Sequence, residues 1–296
     1  MPELPEVETV RARLEPALAG RVLDSVEILD SRLTRPLDPV QVAAGLQGER
    51  VLAVERRGKY LLLRFESGSV LVIHLRMTGS FNHVRAGAAP DQSHVRAIVR
   101  LDDGSILVYR DVRRFGTWLV LSAEELDGYL GERLGLEPLD TTFSARLLTE
   151  RLRRRRAPIK AALLDQQTLA GMGNIYADEA LWRARLHPRR PAGELDQAEI
   201  RALQRGIRAA LEAGIARQGA TLRDYRLPNG DPGRMQDEFK VYGRTGEPCF
   251  RCGTPIEKTR LAGRGTWFCP RCQPWPNEGP RRGGEREGKP AQVSVE

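Results

Sequence analysis

Residues 249–272 read CFRCGTPIEKTRLAGRGTWFCPRC and contain all 4 cysteines of the 296-residue chain. The pair Cys249 and Cys252 is separated by 16 residues from the pair Cys269 and Cys272. Two such pairs supply four thiolates, the ligand set that closes a tetrahedral structural zinc site and leaves no open position for catalysis. In a reducing compartment this grouping favours a metal over disulfides. The stretch therefore predicts a zinc finger over residues 241–274 that holds one structural zinc ion.

The two cysteine pairs flank a predicted β-hairpin. Residues 254–259 and 266–268 have the pattern of strands, and residues 261–265 form a glycine-containing turn that would carry Arg264 outward. An arginine on such a hairpin suits contact with a phosphate. The alternative is a finger that only stabilises its own subdomain and contacts no ligand.

The chain before the finger divides into a β-rich part and a helical part. Residues 3–19 place apolar side chains at helical spacing, residues 22–121 contain short β-rich runs, and helical patterns follow residue 122. The predicted strands include 51–54, 60–65, 70–75, 95–101, 106–109 and 118–121, and the predicted helices are 124–134, 143–156, 158–164, 174–184 and 197–217. These runs predict an α+β chain with an N-terminal β-sandwich that carries an N-terminal helix, and a C-terminal helical domain.

The predicted boundaries follow changes in composition. The sandwich domain spans 1–134, a hinge rich in Gly, Pro and Asp spans 135–142, and the helical domain spans 143–240 before the finger. Residues 275–296 are mostly Pro, Gly, Arg and Glu, which predicts a disordered tail.

The charge of the chain favours a polyanionic partner. Lys and Arg total 47 against 39 Asp and Glu, a formal net charge of +8. No apolar run reaches the roughly 18 residues that a membrane helix needs, and the acidic N-terminus is unlike a signal peptide. We therefore expect a soluble, intracellular protein with no membrane partner.

The start of the chain, Met1 followed by Pro2, suggests a chemistry of its own. Removal of Met1 would leave Pro2 with a secondary amine whose pKa lies near neutrality. Such an amine attacks an electrophilic sugar carbon, and the resulting iminium ion permits β-elimination of the 3′ phosphate, with Glu3 as an adjacent general acid or base. Alternatively, Pro2 and Pro5 merely open a helix whose dipole the neighbouring glutamates complement.

Six stretches in order along the chain, with the four-cysteine finger, closely resemble the formamidopyrimidine-DNA glycosylase family. They are PELPEVETV (2–10), RRGKYL (56–61), HLRMTG (74–79), DVRRFG (111–116), GMGNIYA (171–177) and VYGR (241–244). The resemblance implies a bifunctional enzyme that excises oxidised purines, namely 8-oxoguanine and formamidopyrimidines, and acts as a lyase at abasic sites by β,δ-elimination. It also implies a helix-two-turn-helix motif at residues 171–174, a double-stranded DNA partner and a monomer in the cytoplasm of a bacterial-type cell, associated with the nucleoid.

The resemblance also assigns roles to individual residues. Pro2 is the Schiff-base nucleophile, Glu3 the proton donor for base loss, Lys59 the proton donor in β-elimination, and Arg264 the residue associated with δ-elimination. A solvated loop cation is the alternative for Lys59, which lies in a predicted turn.

DNA contacts are implied for a further set of residues. Because an enzyme of this type must extrude the damaged nucleotide, Met77, Arg113 and Phe115 are implied to fill the gap, although isolated Met and Phe side chains are more often core residues. The implied phosphate contacts are His94, Arg154, Lys160 and Asn174. Backbone N–H groups at the start of the predicted helix 174–184 can also bind a phosphate, while Asn174 caps that helix or adds a contact. Glu6 and the loop 219–225, in particular Thr221 and Tyr225, resemble the base pocket.

The chain departs from the family in one respect, because it continues for 24 residues after Cys272. Two other functions compete with the one implied. A non-enzymatic DNA-binding protein would need no Pro2 at the terminus. The sister endonuclease VIII type shares the nucleophile and finger but prefers oxidised pyrimidines, and Leu4 with the Met77, Arg113 and Phe115 set favours the purine enzyme.

Overall fold

The computed structural model describes residues 1–87 and 93–275. Its N-terminal half contains three helices and eight strands. The helices are α1 (Leu4–Leu18), α2 (Pro39–Leu46) and α3 (Ala123–Gly131), and the strands are β1 (Leu23–Ile28), β2 (Val51–Arg57), β3 (Tyr60–Phe65), β4 (Val70–His74), β5 (Gly79–Val84), β6 (Val95–Leu101), β7 (Ile106–Asp111) and β8 (Thr117–Leu121). They form two four-stranded antiparallel sheets, ordered β1-β6-β7-β5 and β2-β3-β4-β8. The predicted sandwich is confirmed.

The central strands β3 and β4 are apolar on both faces because both faces are covered. Alternate residues of a strand point to opposite sides of the sheet. Leu61 and Leu63 face the core between the sheets, whereas Leu62 and Val72 pack with Leu126 of α3 on the outer side. The continuous apolar run in β3 therefore reflects a sheet buried on both sides.

Helix α1 belongs to both domains. Val7, Val10 and Leu14 pack in the sandwich core, while Leu4 packs in the core of the helical domain. The Leu4 N–H also donates to the Gly171 carbonyl at 3.0 Å. The first three residues therefore emerge where the two domains meet.

The helical domain is built from four helices around one core. They are α4 (Ala145–Leu152), α5 (Ile159–Leu164), α6 (Asn174–Ala184) and α7 (Gln197–Ala216). Gly206 of α7 lies against α6, where an added Cβ would be 2.7 Å from the Ala180 carbonyl oxygen. A glycine at this position lets the two longest helices of the domain approach closely.

The finger contains a tighter hairpin than predicted. Its strands are β9 (Glu257–Leu261) and β10 (Arg264–Phe268), and Leu261 pairs directly with Arg264. Ala262 and Gly263 have φ of 48° and 74°, the combination that a two-residue type I′ turn requires. Arg264 therefore opens a strand, and the predicted strand bounds and five-residue turn were wrong.

Other differences have local causes. The predicted helix 143–156 ends four residues early, at Leu152, because five arginines crowd residues 151–156 and Pro158 disfavours helix before it. Strands β1 and β5 and helix α2 were not predicted. Most of the predicted tail lies outside the described residues. Within the described ranges, no helix has both the length and the apolar composition of a membrane span.

Candidate active site

A cleft of about 220 Å³ opens at the N-terminus, between the sandwich and the helical domain. Its lining comes from the terminus and the start of α1, the turns that follow β4 and β7, Ile175 of α6, and the loop after α7. The predicted site residues among its lining are Pro2, Glu6, Met77, Arg113 and Tyr225. Residues that are distant in sequence thus face one cavity.

Pro2 is buried at the wall of this cleft, whereas Met1 is 47 % exposed. While Met1 is present, the Pro2 nitrogen belongs to a peptide bond and is not an amine. Removal of the exposed Met1 would leave a secondary amine at the cavity wall. This placement is compatible with the predicted nucleophile.

Glu3 occupies the N-terminus of α6. Its two carboxylate oxygens accept hydrogen bonds from the backbone N–H groups of Ile175, at 3.0 Å, and Tyr176, at 3.3 Å. The helix cap is Gly173, where an added Cβ would lie 2.1 Å from the Glu3 carboxyl carbon. The helix start was predicted to bind phosphate with Asn174 as its cap; this is wrong for these two N–H groups, which hold Glu3 instead.

Lys59 forms the β2–β3 turn together with Gly58 and is only 6 % exposed. Burial lowers the pKa of its ammonium. The negative charges of Glu3 and Glu6 raise this pKa in part, and the positive charge of Arg264 lowers it further. Among the described residues, no hydrogen bond or ion pair reaches this ammonium. Lys59 is therefore not a solvated loop cation.

Glu6 joins α1 to the helical domain. One carboxylate oxygen accepts from the Tyr176 hydroxyl and from the Ala220 N–H, both at 2.7 Å, and the other accepts from the Glu3 N–H at 2.8 Å. Burial, and next the nearby charge of Glu3, raise the pKa of this carboxyl to about 6. A group with such a pKa changes charge in the mildly acidic range.

The two predicted base-pocket residues in the loop after α7 are placed differently with respect to the cleft. Tyr225 lines the cleft, and its hydroxyl donates to the Gln218 carbonyl at 3.1 Å. The Thr221 hydroxyl instead donates to the Tyr225 carbonyl at 3.0 Å and accepts from the Gly233 N–H at 2.9 Å. Thr221 therefore shapes the loop, and the side of the loop that faces the cavity comes from residues 222–225.

The three predicted gap-filling residues lie on two neighbouring turns. Met77 is half-buried and Arg113 exposed, and both line the cleft. Phe115 is 51 % exposed, and the Arg113 guanidinium lies 4.8 Å from the centroid of its ring. Phe115 is therefore not a core residue.

A buried carboxylate that the sequence analysis missed joins these two turns. Asp111 accepts from the Thr78 hydroxyl with one oxygen and from the Gly116 N–H, at 2.7 Å, with the other. The Thr78 hydroxyl in turn accepts from the Arg113 N–H at 3.0 Å. The turns that carry Met77 and Arg113 are thus one hydrogen-bonded unit, and both polar residues stand within the HLRMTG and DVRRFG stretches.

Lys160 is buried and Asn174 is half-buried, and both hold the finger. The Lys160 ammonium is fully buried, lies 2.7 Å from the Asp178 carboxylate and donates to the Gly265 carbonyl at 2.9 Å. The Asn174 amide donates to the same carbonyl at 3.0 Å. Because Gly265 follows the exposed Arg264, both residues act on the hairpin that presents Arg264. The prediction that Lys160 contacts a phosphate directly is therefore wrong in this arrangement.

His94 and Arg154 are exposed, and neither lines the cleft. Arg154 lies just beyond the end of α4, in the arginine-rich segment, and His94 directly precedes β6. Both are accessible to a ligand at the surface.

The four cysteines lie together, with their sulfur atoms within 4.8 Å of one another. The Cys252 and Cys269 sulfurs are 3.5 Å apart and those of Cys249 and Cys272 are 4.0 Å apart, too far for a disulfide. Zn–S bonds of about 2.3 Å in a tetrahedron place sulfurs roughly 3.8 Å apart, so the cluster fits one structural zinc ion.

Two further buried carboxylates of α6 were missed. Asp178 accepts from the Trp267 N–H at 3.0 Å, and Glu179 accepts from the N–H groups of Lys240, Val241 and Tyr242 at 2.8, 2.9 and 3.2 Å. Both attach the finger to the helical domain. The signal available in the sequence was two adjacent acids in an otherwise apolar helix.

Family models match most of the chain in three consecutive pieces. Residues 1–118 match the formamidopyrimidine-DNA glycosylase N-terminal domain, and residues 134–226 match the H2TH domain of the same glycosylase. Residues 246–274 match a zinc finger found in FPG and IleRS. The three matches follow the order of sandwich, helical domain and finger seen in the fold.

Individual proteins are similar over nearly the full length. The chain is 48 % identical to a formamidopyrimidine-DNA glycosylase of Symbiobacterium thermophilum, covering 100 % of this chain and 98 % of the relative. A relative of the same name from Heliobacterium modesticaldum is 47 % identical, over 92 % of this chain and 100 % of its own.

Solved structures are similar in the same way. A Lactococcus lactis FPG variant in complex with Fapy-dG-containing DNA superposes with a TM-score of 0.85 at 39 % identity, covering 93 % of this chain and 100 % of the other. The wild-type L. lactis protein with oxidised-pyrimidine-containing DNA gives 0.85 at 38 % identity, with the same coverage.

Proposed function

The chain belongs to the formamidopyrimidine-DNA glycosylase family, and from this premise we propose that it removes oxidised purines from double-stranded DNA and then cleaves the strand as an abasic-site lyase. The observation that carries the proposal is the single cleft lined by Pro2, Met77 and Arg113. One chain with one structural zinc ion suffices for this activity. Its substrate would be the nucleoid DNA in the cytoplasm of a bacterial-type cell.

The first step is extrusion of the damaged nucleotide, because a base within the stack shields its sugar from attack. Met77 and Phe115 would fill the space left in the duplex, and Arg113 would hydrogen-bond the unpaired partner base. The support is geometric: Phe115 is exposed, Met77 and Arg113 face the cleft, and Asp111 fixes their turns together.

The second step is attack by Pro2. After removal of Met1, the lone pair of the secondary amine attacks C1′ and the glycosidic bond breaks, so the base departs. The attached amine loses its proton, the C1′–O4′ bond opens with protonation of O4′, and an iminium ion remains. Loss of a proton from C2′ then breaks the C3′–O bond and releases the 3′ phosphate. A second elimination releases the 5′ phosphate, and water frees the amine from the sugar remnant.

Three side chains would move protons or steady charge in these steps. Glu3, next to the nucleophile and held by two backbone N–H groups, would protonate the departing base. Lys59 would supply the proton in β-elimination, since its buried ammonium has a lowered pKa. Arg264, exposed on the finger hairpin, would stabilise the phosphate lost in δ-elimination.

The grip on the DNA backbone would come from outside the cleft. His94 and Arg154 are exposed cations or donors placed to meet phosphates, and Asn174 would contribute through the finger hairpin that it holds. The base pocket would be formed by Glu6 and Tyr225 with the cavity-facing part of the loop that Thr221 shapes.

The test compares two duplexes, one with 8-oxoguanine opposite cytosine and one with thymine glycol, by single-turnover strand cleavage. We expect faster cleavage of the 8-oxoguanine duplex, with both phosphates removed. A preference for thymine glycol would favour the endonuclease VIII type. Because a related protein is found with oxidised-pyrimidine-containing DNA, the ratio of rates decides, rather than detection of activity. Binding without cleavage of either duplex would favour a non-enzymatic DNA-binding protein.

A further inference from the structure

The segment that connects the domains is held firmly on the side of the helical domain. The Gly135 N–H donates to the Gln166 carbonyl at 2.8 Å, and the Ala170 N–H donates to the Leu136 carbonyl at 2.8 Å. This pairing attaches residues 135–136 to the loop that leads into α6. The predicted hinge therefore begins with a segment fixed by backbone hydrogen bonds.

The next residue, Glu137, holds the sandwich domain in turn. One carboxylate oxygen accepts from the Arg56 guanidinium at 2.9 Å, and the other accepts from the Arg57 guanidinium at 2.8 Å and the Gly58 N–H at 2.9 Å. The three donors belong to consecutive residues, and Lys59 follows them immediately. The Arg56 guanidinium also pairs with Glu8 of α1 at 2.9 Å.

The contact of Arg56 with Glu137 is largely shielded from water, whereas the Arg57 side chain is 32 % exposed. The side chains of Arg56 and Glu137 are 8 % and 12 % exposed. Charge-assisted hydrogen bonds of this kind are short, directional and about twice as strong as neutral ones. The position of the β2–β3 turn is therefore set by Glu137 as well as by the pairing of its strands.

The turn also packs against the helical domain. Gly58 has φ of +58°, a conformation that favours glycine, and an added Cβ would lie 3.3 Å from the Ala170 Cβ. Ala170 is the residue whose N–H is bonded to the connecting segment. The turn, the connecting segment and the loop before α6 thus form one contact region.

We propose that Glu137 is a positioning residue for Lys59, which fixes the backbone of the β2–β3 turn so that the ammonium lies at the reacting sugar. Glu137 itself does not touch the substrate. The Lys59 ammonium has no hydrogen bond of its own among the described residues, so its position depends on the backbone that carries it. The inference rests on the proposed role of Lys59 in elimination.

The test is a double-mutant cycle on a duplex that contains a preformed abasic site, measured as single-turnover strand cleavage. Glu137→Gln keeps the shape of the side chain but removes the charge and one acceptor oxygen. We expect it to slow cleavage by about 10²-fold in the otherwise unchanged protein. Cleavage by the Lys59→Ala protein is slower and is followed over longer times. In that background, Glu137→Gln should slow cleavage by less than about twofold. Glu66→Gln is the matched control, since Glu66 is 69 % exposed and pairs with Arg50 at 3.6 Å.

Equal losses from Glu137→Gln in both backgrounds would overturn the inference and leave Glu137 with a purely structural role. Failure of the unchanged protein to cleave the abasic duplex would instead refute the proposed function itself. Should Glu137→Gln prove unstable in thermal melting, Arg57→Met removes one of the three contacts to Glu137 and leaves those of Arg56 and Gly58. It also removes the Arg57 hydrogen bond to the Gly135 carbonyl at 2.7 Å. We expect Arg57→Met to slow cleavage less than Glu137→Gln does, and to slow it only when Lys59 is present. An equal slowing in the Lys59→Ala background would contradict the proposal.

Discussion

Among the residues that the structure describes, two lysines are buried, and the surroundings of their ammonium groups are opposite. Lys160 is fully buried, and its ammonium meets the Asp178 carboxylate at 2.7 Å and the Thr266 hydroxyl at 2.9 Å. Lys59 is 6 % exposed, but among the described residues its ammonium has no hydrogen-bond or ion-pair partner. Burial lowers the pKa of both ammonium groups.

The difference distinguishes the structural role of Lys160 from the reactive role proposed for Lys59. A buried charge that is paired and hydrogen-bonded is held in place, and removing one partner leaves the other uncompensated. A buried ammonium without such partners has a lowered pKa, so it gives up a proton more readily, and this pKa is sensitive to nearby charge. Burial of a lysine therefore says little about function until the partners of its ammonium are counted.

The largest expected effect is on catalysis at Lys59. Lys59→Met should slow strand cleavage at an abasic site about 10²- to 10⁴-fold, the usual contribution of a positioned acid or base. The free energy of unfolding should hardly fall, because no ion pair or hydrogen bond is lost. Single-turnover cleavage and denaturant unfolding of the same preparation measure both quantities. An unfolding loss as large as that of Lys160→Met would erase the distinction between the lysines.

Lys160→Met should have the reverse profile. It removes the charged partner of Asp178, a carboxyl whose pKa burial raises to about 7, and breaking such a buried pair costs about 3–5 kcal/mol of unfolding free energy. The finger hairpin also loses the hydrogen bond to the Gly265 carbonyl. Urea unfolding and zinc content report the loss, and unchanged stability would show that the pair is not what holds the hairpin.

Replacing both Lys160 and Asp178 tests whether the stability lost in Lys160→Met comes from breaking this ion pair. Lys160→Met combined with Asp178→Asn removes both ionisable groups of the pair but keeps an acceptor for the Trp267 N–H, and we expect recovery of part of the lost stability, about 1–2 kcal/mol. Lys160→Met should also raise the ratio of β- to δ-elimination products, because the hairpin that carries Arg264 loses the lysine bond to the Gly265 carbonyl. This ratio should recover less in the double variant, since that bond is still missing. Urea unfolding and a product gel are the measurements. A double variant as unstable as Lys160→Met would contradict the ion-pair explanation.

The smallest expected effect concerns Glu6. Its negative charge, like that of Glu3, raises the pKa of Lys59, whereas burial lowers it. The pKa of Glu6 is about 6 in the folded chain and lies above the ordinary 4.5, so its protonated form is favoured by folding. The resulting stabilisation is fully present below pH 4.5 and is lost as the pH rises through about 6. Relative to Glu6→Gln, the unchanged protein should thus lose about 2 kcal/mol between pH 4 and pH 7. Unfolding curves of both proteins across this range test it, and parallel pH dependence would contradict it.

The sequence predicted the architecture well where a pattern had one physical meaning. Four cysteines in two close pairs predict one metal site. Short β-rich runs predict a sandwich, and the helical patterns that follow them predict a helical domain. Helix α6 was predicted with its observed bounds, residues 174–184, because glycines precede it and apolar residues repeat along it.

The sequence could not predict the partners of polar residues, since these depend on how the domains meet. Lys160 stands beside an arginine-rich segment and was assigned to phosphate, yet its ammonium points inward to Asp178. The start of α6 was assigned to phosphate as well, and Glu3 from the other end of the chain fills it. Glu137 had no pattern to mark it, because its three donors come from a turn of the other domain.

The most direct test of the account is to trap the covalent intermediate with borohydride on an abasic-site duplex and to map the attached residue by mass spectrometry. We predict one adduct, on the N-terminal peptide at the Pro2 nitrogen, in protein that has lost Met1, and no adduct in protein that retains it. The same adduct should form in Lys59→Met and Lys160→Met proteins. An adduct on Lys59, or trapping that persists when Met1 is retained, would contradict the proposed nucleophile.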